Sequence, residues 1–172
     1  VIPYNAGAES DMGPVVNDNY FGKVPAERLV VKPNAIFFSG DGKCRSKIGL
    51  PPRRAKPVLG SYDAMNKLLT IVQYNKPRDV DDYVNSAWEL QKEPFKGDVV
   101  NSYNDGPNDA GSILGPFYEL ESSSPAAALK PNGSLTHMHR TIHFTGSEES
   151  LDKVAKTVLG VSLEEIKNGL KK

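Results

Sequence analysis

Short β-rich runs, each closed by residues that turn the chain, constrain what this sequence can fold into. They are Arg28-Leu-Val-Val-Lys32, Ala35-Ile-Phe-Phe-Ser39, Lys67 to Tyr74 (KLLTIVQY), Asp98-Val-Val-Asn-Ser-Tyr103, Phe117 to Ser122 and Ser134 to Phe144. Val, Ile, Tyr and Phe suit the pleated, half-buried surface of a strand. The separators are Lys32-Pro-Asn, Ser39-Gly-Asp-Gly, Leu50-Pro-Pro, Asn75-Lys-Pro-Arg, Asn104-Asp-Gly-Pro and Lys130-Pro-Asn-Gly. Each presets a turn or tolerates positive φ. Strands at this spacing predict an all-β antiparallel sandwich or barrel.

The ends of the chain differ from that pattern. Residues 1–25, rich in Gly, Pro, Asn and Asp, read as an extended lead-in. After Phe144, apolar residues at 151, 154, 155, 158 and 159 give the 3.6-residue period of one helical face. Ser147 is placed as its N-cap, and Gly160 stops it. Ser162 with Glu165 forms a capping-box pattern for a second short helix. A helical hairpin over 147–170 therefore follows the β region, and the 172 residues read as one domain.

Charge and composition remove some functions. The 21 basic residues balance 21 acidic ones, so no basic footprint for nucleic acid is present. No apolar run of 18 residues exists to cross a bilayer. The single Cys44 cannot form an internal disulfide, and it reads better as a small core residue than as a nucleophile. Gly40-Asp-Gly42 is a hairpin turn rather than a phosphate loop, and Asn101 to Pro107 lacks the spaced acids of a calcium loop.

All three histidines fall within Leu135 to Phe144. On a strand, His137, His139, Thr141 and His143 share a face, while Met138, Ile142 and Phe144 take the apolar side. Glu119 and Glu121 likewise share a face of their own strand. If these two strands pair, carboxylates lie beside imidazoles. Three readings are open: a solvated polar face, a metal site on the His137/His139/His143 row, or acid–base chemistry on a polyol. Lys43, Arg45 and Lys47 form a further row, suited to sugar hydroxyls, carboxylates or phosphates, or simply solvated. Trp88 and Tyr103 could stack on a sugar, although a lone Trp in a β domain is more often core.

Glu121-Ser-Ser-Ser-Pro125, then Leu129-Lys-Pro-Asn-Gly133 and a strand ending at Phe144, resembles the C-terminal signature of the galactose mutarotase-like superfamily. Val16-Asn-Asp-Asn-Tyr-Phe21 is similar to an upstream segment of those aldose 1-epimerases. The resemblance, more specifically to a bacterial branch, implies an antiparallel supersandwich of which this chain is the C-terminal half. It implies a carbohydrate ligand and a strand glutamate as base, carried best onto Glu121 and next onto Glu119. The family's histidine position is held by Asp18, so one of His137, His139 or His143 would have to supply an acid. Asp18, Arg45, His143 and Tyr103 are the expected substrate contacts, and no cofactor is implied. Relatives of this kind are often exported, which implies a periplasmic or extracellular location. A truncated sheet would expose unpaired edges, which suggests a homodimer or association with the missing half. The alternative to an epimerase is a non-catalytic carbohydrate-binding module.

Overall fold

The computed structural model describes residues 1–171. Nine strands and three helices follow in chain order: β1 (Ile2–Pro3), α1 (Glu9–Met12), β2 (Leu29–Val31), β3 (Ala35–Phe38), β4 (Ser46–Leu50), β5 (Val58–Asp63), β6 (Leu68–Tyr74), β7 (Val100–Asn104), β8 (Tyr118–Ser122), β9 (His139–Thr145), α2 (Glu148–Leu159) and α3 (Leu163–Lys167). The strands make three antiparallel sheets, ordered β1-β3-β2, β4-β7-β8 and β5-β6-β9. The fold is all-β with a C-terminal helical pair, as the turn-punctuated runs predict.

The first and third sheets are joined through the backbone. The Val1 amino group donates to the Gly60 carbonyl at 2.7 Å, and the Gly60 amide donates to the Val1 carbonyl at 3.0 Å. Two apolar cores then form on the two faces of this composite surface. On one side Ile2, Ile36, Leu59 and Val72 pack with Ile48, Leu50 and Val100 of the β4-β7-β8 sheet. On the other, Phe37, Leu69 and Ile71 meet Leu151, Ala155 and Leu159 of α2 and Leu163 of α3. Burying each such Leu or Ile removes apolar surface from water and stabilises the fold by about 1.5–3 kcal/mol.

The helical pair forms as its sequence dictates. The Ser147 side chain accepts from the Ser150 amide at 3.2 Å, and Gly160 closes α2 in the left-handed conformation at φ 72°. Ser162 and Glu165 bond reciprocally in the capping box that opens α3.

Several expectations are corrected. The lead-in is not simply extended, since it contains β1 and α1 and wraps the buried Arg54. Arg54's guanidinium donates to the carbonyls of Asn5, Gly7 and Gly13 at 2.8–3.1 Å, so the segment's backbone answers a charge its side chains do not. β5 was not foreseen; its Val-Leu-Gly-Ser-Tyr-Asp run is too mixed to signal a strand. The charged row after Asp41 joins a strand only at Ser46, which leaves Lys43 and Arg45 before it. The last strand begins at His139, not Ser134, so Leu135 and His137 precede it. Met138 is 60 % exposed rather than core, because it lies outside the paired segment, while Ile142 and Phe144 are partly buried on the helical side. Trp88 is 87 % exposed, not core. Cys44 is half-buried. No helix among the described residues is long and apolar enough to cross a membrane.

Gly49 in β4 is fixed by close approach. A Cβ there would stand 2.6 Å from the Asp98 carboxyl carbon and 2.7 Å from the Asn101 side-chain nitrogen. Gly49→Ala should therefore destabilise by about 1–3 kcal/mol, the usual cost of overpacking. Urea unfolding checks this, and an unchanged midpoint would refute it.

Candidate functional site

Alternation along β4, β7 and β8 sorts their side chains into two faces. Register places Ile48, Leu50, Val100 and Leu120 on the core face, and Lys47, Asn101, Tyr103, Glu119 and Glu121 on the other. That second face would be a solvated surface if nothing covered it. Val15 and Val16 pack on the core, Asn17 pairs along the edge of β4, and Tyr20 and Phe21 turn over the polar face. The Asn17 backbone exchanges two hydrogen bonds with Gly49, each 2.8 Å.

Asp98, just before β7, pins this cover. Its Oδ2 accepts from the Tyr20 hydroxyl at 2.6 Å and from the Asn17 side-chain amide at 3.3 Å. Asn101 donates in turn to the Tyr20 oxygen at 3.0 Å and to the Ile48 carbonyl at 3.2 Å. Burial raises the Asp98 carboxyl above the usual carboxylate range, although both donors and the nearby Lys47 charge oppose it. Burial, and then the Asp98 charge, pushes the Tyr20 phenol above its usual value. The proton shared along this bond therefore stays on the phenol.

Beside this tie lies a hollow of about 260 Å³. Its floor holds Lys47, Tyr103 and Glu119; its wall holds Arg45 and Phe21; Trp88 stands at the mouth. The Arg45 guanidinium lies 4.3 Å from the centre of the Phe21 ring. Phe21 in turn meets Tyr103 and Trp88 edge-on, with ring centres 5.8 and 6.4 Å away. Asp105 fixes the remaining rim: it accepts from the Tyr103 hydroxyl at 2.5 Å and from the Leu114 and Gly115 amides at 2.9 and 2.8 Å. Those bonds hold its carboxyl below the usual range.

The two glutamates differ. Lys47 donates to Glu121 Oε2 at 3.1 Å, while Glu121 Oε1 is buried without a partner. Glu119 reaches the hollow itself. Burial, and then the adjacent Glu121 charge, raises its carboxyl above the usual glutamate value, against the pull of Lys47. A carboxyl with raised proton affinity facing an aromatic-walled hollow is able to exchange a proton with a polar ligand.

The histidines are elsewhere. β8 and β9 do not pair: β8 bonds to β7, and β9 bonds to β6 in another sheet. Ser122, next to Glu121, points to the opposite face, and its hydroxyl meets His137 Nε2 at 3.0 Å and His139 Nδ1 at 2.8 Å. Burial and the neighbouring His139 lower the pKa of His137. His143 stands apart, with its Nδ1 2.9 Å from the Thr70 hydroxyl. The expectation that acids and imidazoles share one hollow is therefore corrected: neighbouring residues of a strand face opposite ways. The three imidazoles do not converge either, and no cluster of three or more metal-ligating side chains occurs among the described residues. Asp18 is also displaced from its expected place, since it pairs with Lys23 at 2.7 Å and does not line the hollow.

Of the expected residues, the hollow thus gathers Glu119, Arg45 and Tyr103, with Glu121 behind them. Sequence reasoning missed Phe21 and Asp105 as parts of it, and Tyr20 and Asp98 as the tie beside it. The signal for Asp98 is slight, one acid heading an apolar run.

Comparison with known proteins gives a family and no activity. A family model described as "Family of unknown function (DUF6786)" matches residues 1–170. No curated protein and no solved structure matches the chain.

The buried tie makes a pH prediction. A carboxyl whose folded pKa is raised contributes stability that is fully present below its unfolded value of 3.8 and is lost as pH rises through the folded value. Asp98→Asn keeps an acceptor for Tyr20 but cannot ionise. From acid to neutral pH the wild type should therefore lose thermal stability relative to Asp98→Asn. Parallel melting-temperature profiles for the two proteins would contradict this.

Proposed function

We propose that this chain, which belongs to the DUF6786 family, is a carbohydrate-directed protein whose ligand occupies the hollow over β4, β7 and β8. The observation that carries this is Glu119, a carboxyl of raised proton affinity set among Tyr103, Phe21 and Trp88. Aromatic faces suit the C–H side of a sugar ring, and the polar floor suits its hydroxyls. The Glu-Ser-Ser-Ser-Pro and Leu-Lys-Pro-Asn-Gly motifs, in that order before a strand, support a galactose mutarotase-like sandwich as the finer description of the all-β fold. The same resemblance supports export to the periplasm or beyond the cell.

As an epimerase the site would use Glu119 rather than Glu121 as the group that touches the sugar. The Glu119 carboxylate takes the proton of the anomeric hydroxyl. The ring carbon–oxygen bond breaks as the ring oxygen takes a proton from water at the open mouth. Closure on the other face of the resulting carbonyl gives the other anomer and returns both protons. Burial, and then the charge of Glu121 held by Lys47, raises the Glu119 pKa and makes it the stronger base.

One observation favours a second reading, a binding module without turnover. No imidazole is among the residues lining the hollow, so the acid expected of an aldose epimerase has no counterpart there.

Polarimetry on freshly dissolved aldoses tests both. The epimerase predicts catalysed anomer exchange, and Glu119→Gln should slow it by about 100-fold or more, the usual worth of a general base. Exchange no faster than buffer, with saccharide binding retained, would leave only the binding module. Absence of binding to any saccharide by the folded protein would end both.

A further inference from the structure

Arg45 is the cation of this hollow that the protein itself does not answer. Lys47 is paired with Glu121. Arg45 forms no ion pair with any of the described residues. The acids around it are committed to other groups. Asp105 accepts the Tyr103 hydroxyl and two backbone amides, and Asp98 accepts Tyr20 and Asn17. Glu119, the remaining acid lining the hollow, forms no ion pair with Arg45 either.

The stack on Phe21 has a further consequence. It holds the guanidinium 4.3 Å from the Phe21 ring centre, where one donor is within reach of the Tyr103 oxygen and no carboxylate of the described residues pairs with the rest. A planar fork of donors, held in place and facing a partly enclosed space, matches a carboxylate in two parallel hydrogen bonds. The volume of about 260 Å³ is below the range of sites that enclose drug-sized ligands, so the enclosed part of a ligand is small. Trp88, 87 % exposed at the mouth, offers a ring face to whatever projects out.

The geometry points to an acidic saccharide, a uronate unit seated in the hollow with its carboxylate on Arg45 and a neighbouring sugar against Trp88. This rests on the carbohydrate reading above and adds the class of sugar. It makes Arg45 a specificity-determining residue: a neutral hexose leaves the guanidinium without its partner, whereas a uronate fills it. Binding should weaken as salt rises, because an exposed mouth admits screening ions.

Calorimetric titration with glucuronate, galacturonate, glucose, galactose and glucose 6-phosphate tests this on the full chain. The uronates should bind about tenfold or more tighter than the matching neutral hexoses, the worth of a charge-assisted hydrogen-bond pair. Arg45→Gln should bring that ratio to about one, and Arg45→Lys, which keeps the charge and loses the fork, should leave it between. A uronate dimer should outbind the monomer, and Trp88→Ala should remove that gain. Circular dichroism confirms that each variant folds. Equal affinity for uronate and neutral hexose in the wild type would overturn the inference while leaving the carbohydrate reading intact. A preference unchanged in Arg45→Gln would overturn Arg45's part, and tighter binding of glucose 6-phosphate than of any uronate would overturn the carboxylate. Binding of no saccharide at all would overturn the carbohydrate reading itself.

Discussion

A carboxylate with almost no access to water governs the shape of this protein's polar face. Asp98 is 6 % exposed, and holding a charge there costs several kcal/mol unless donors meet it. Tyr20 and Asn17 meet it, and both come from a segment about eighty residues earlier in the chain. Satisfying one buried acid thus ties Asn17 and Tyr20 to the sheet and sets Phe21 in place. Arg45, Tyr103 and Trp88 arrange themselves around that ring. Arg54 does comparable work for residues 5–13, with backbone carbonyls in place of donors. Two buried ionisable groups of opposite sign therefore order a segment that has little apolar surface of its own to bury.

The sheet beneath separates two chemistries by alternation alone. Glu119 and Glu121 look out beneath the cover, while Ser122 looks between the layers at His137 and His139. The imidazole pair and the hydroxyl close the gap where β8 and β9, edges of different sheets, come together. Tyr74 stands beside His137 with ring centres 6.2 Å apart, so the cluster continues the core's rim. Its role in the fold is to tie two layers, while His143 bonds to Thr70 of the neighbouring strand in its own sheet.

Much of the local structure is legible in the sequence. Ser147, Gly160 and the Ser162–Glu165 box place both helix starts and the end of α2 to within a residue, because caps act through bonds between near neighbours. The strands at 35–38, 68–74, 100–104 and 118–122 follow from β-branched and aromatic residues bounded by turns. β5 escaped because a glycine, a serine and an aspartate dilute its run, and it is a strand because β6 and Val1 pair with it. The site was half legible. Glu119, Arg45 and Tyr103 are named on residue type and shared face, whereas His137, His139 and His143 join them only through a pairing of β8 with β9 that does not form, and Asp18 only through the family resemblance.

The sequence by itself determined which segments extend, where they turn and which side chains share a face, since these depend on backbone periods and on neighbours a few residues away. The tertiary structure alone decided which strands lie together and what covers their polar side. Asp98 and Tyr20, or Ser122 and His137, become partners only through chain crossings that periodicity does not encode. A buried charge finds its donors wherever the fold brings them, and that placement, rather than spacing along the chain, makes the hollow.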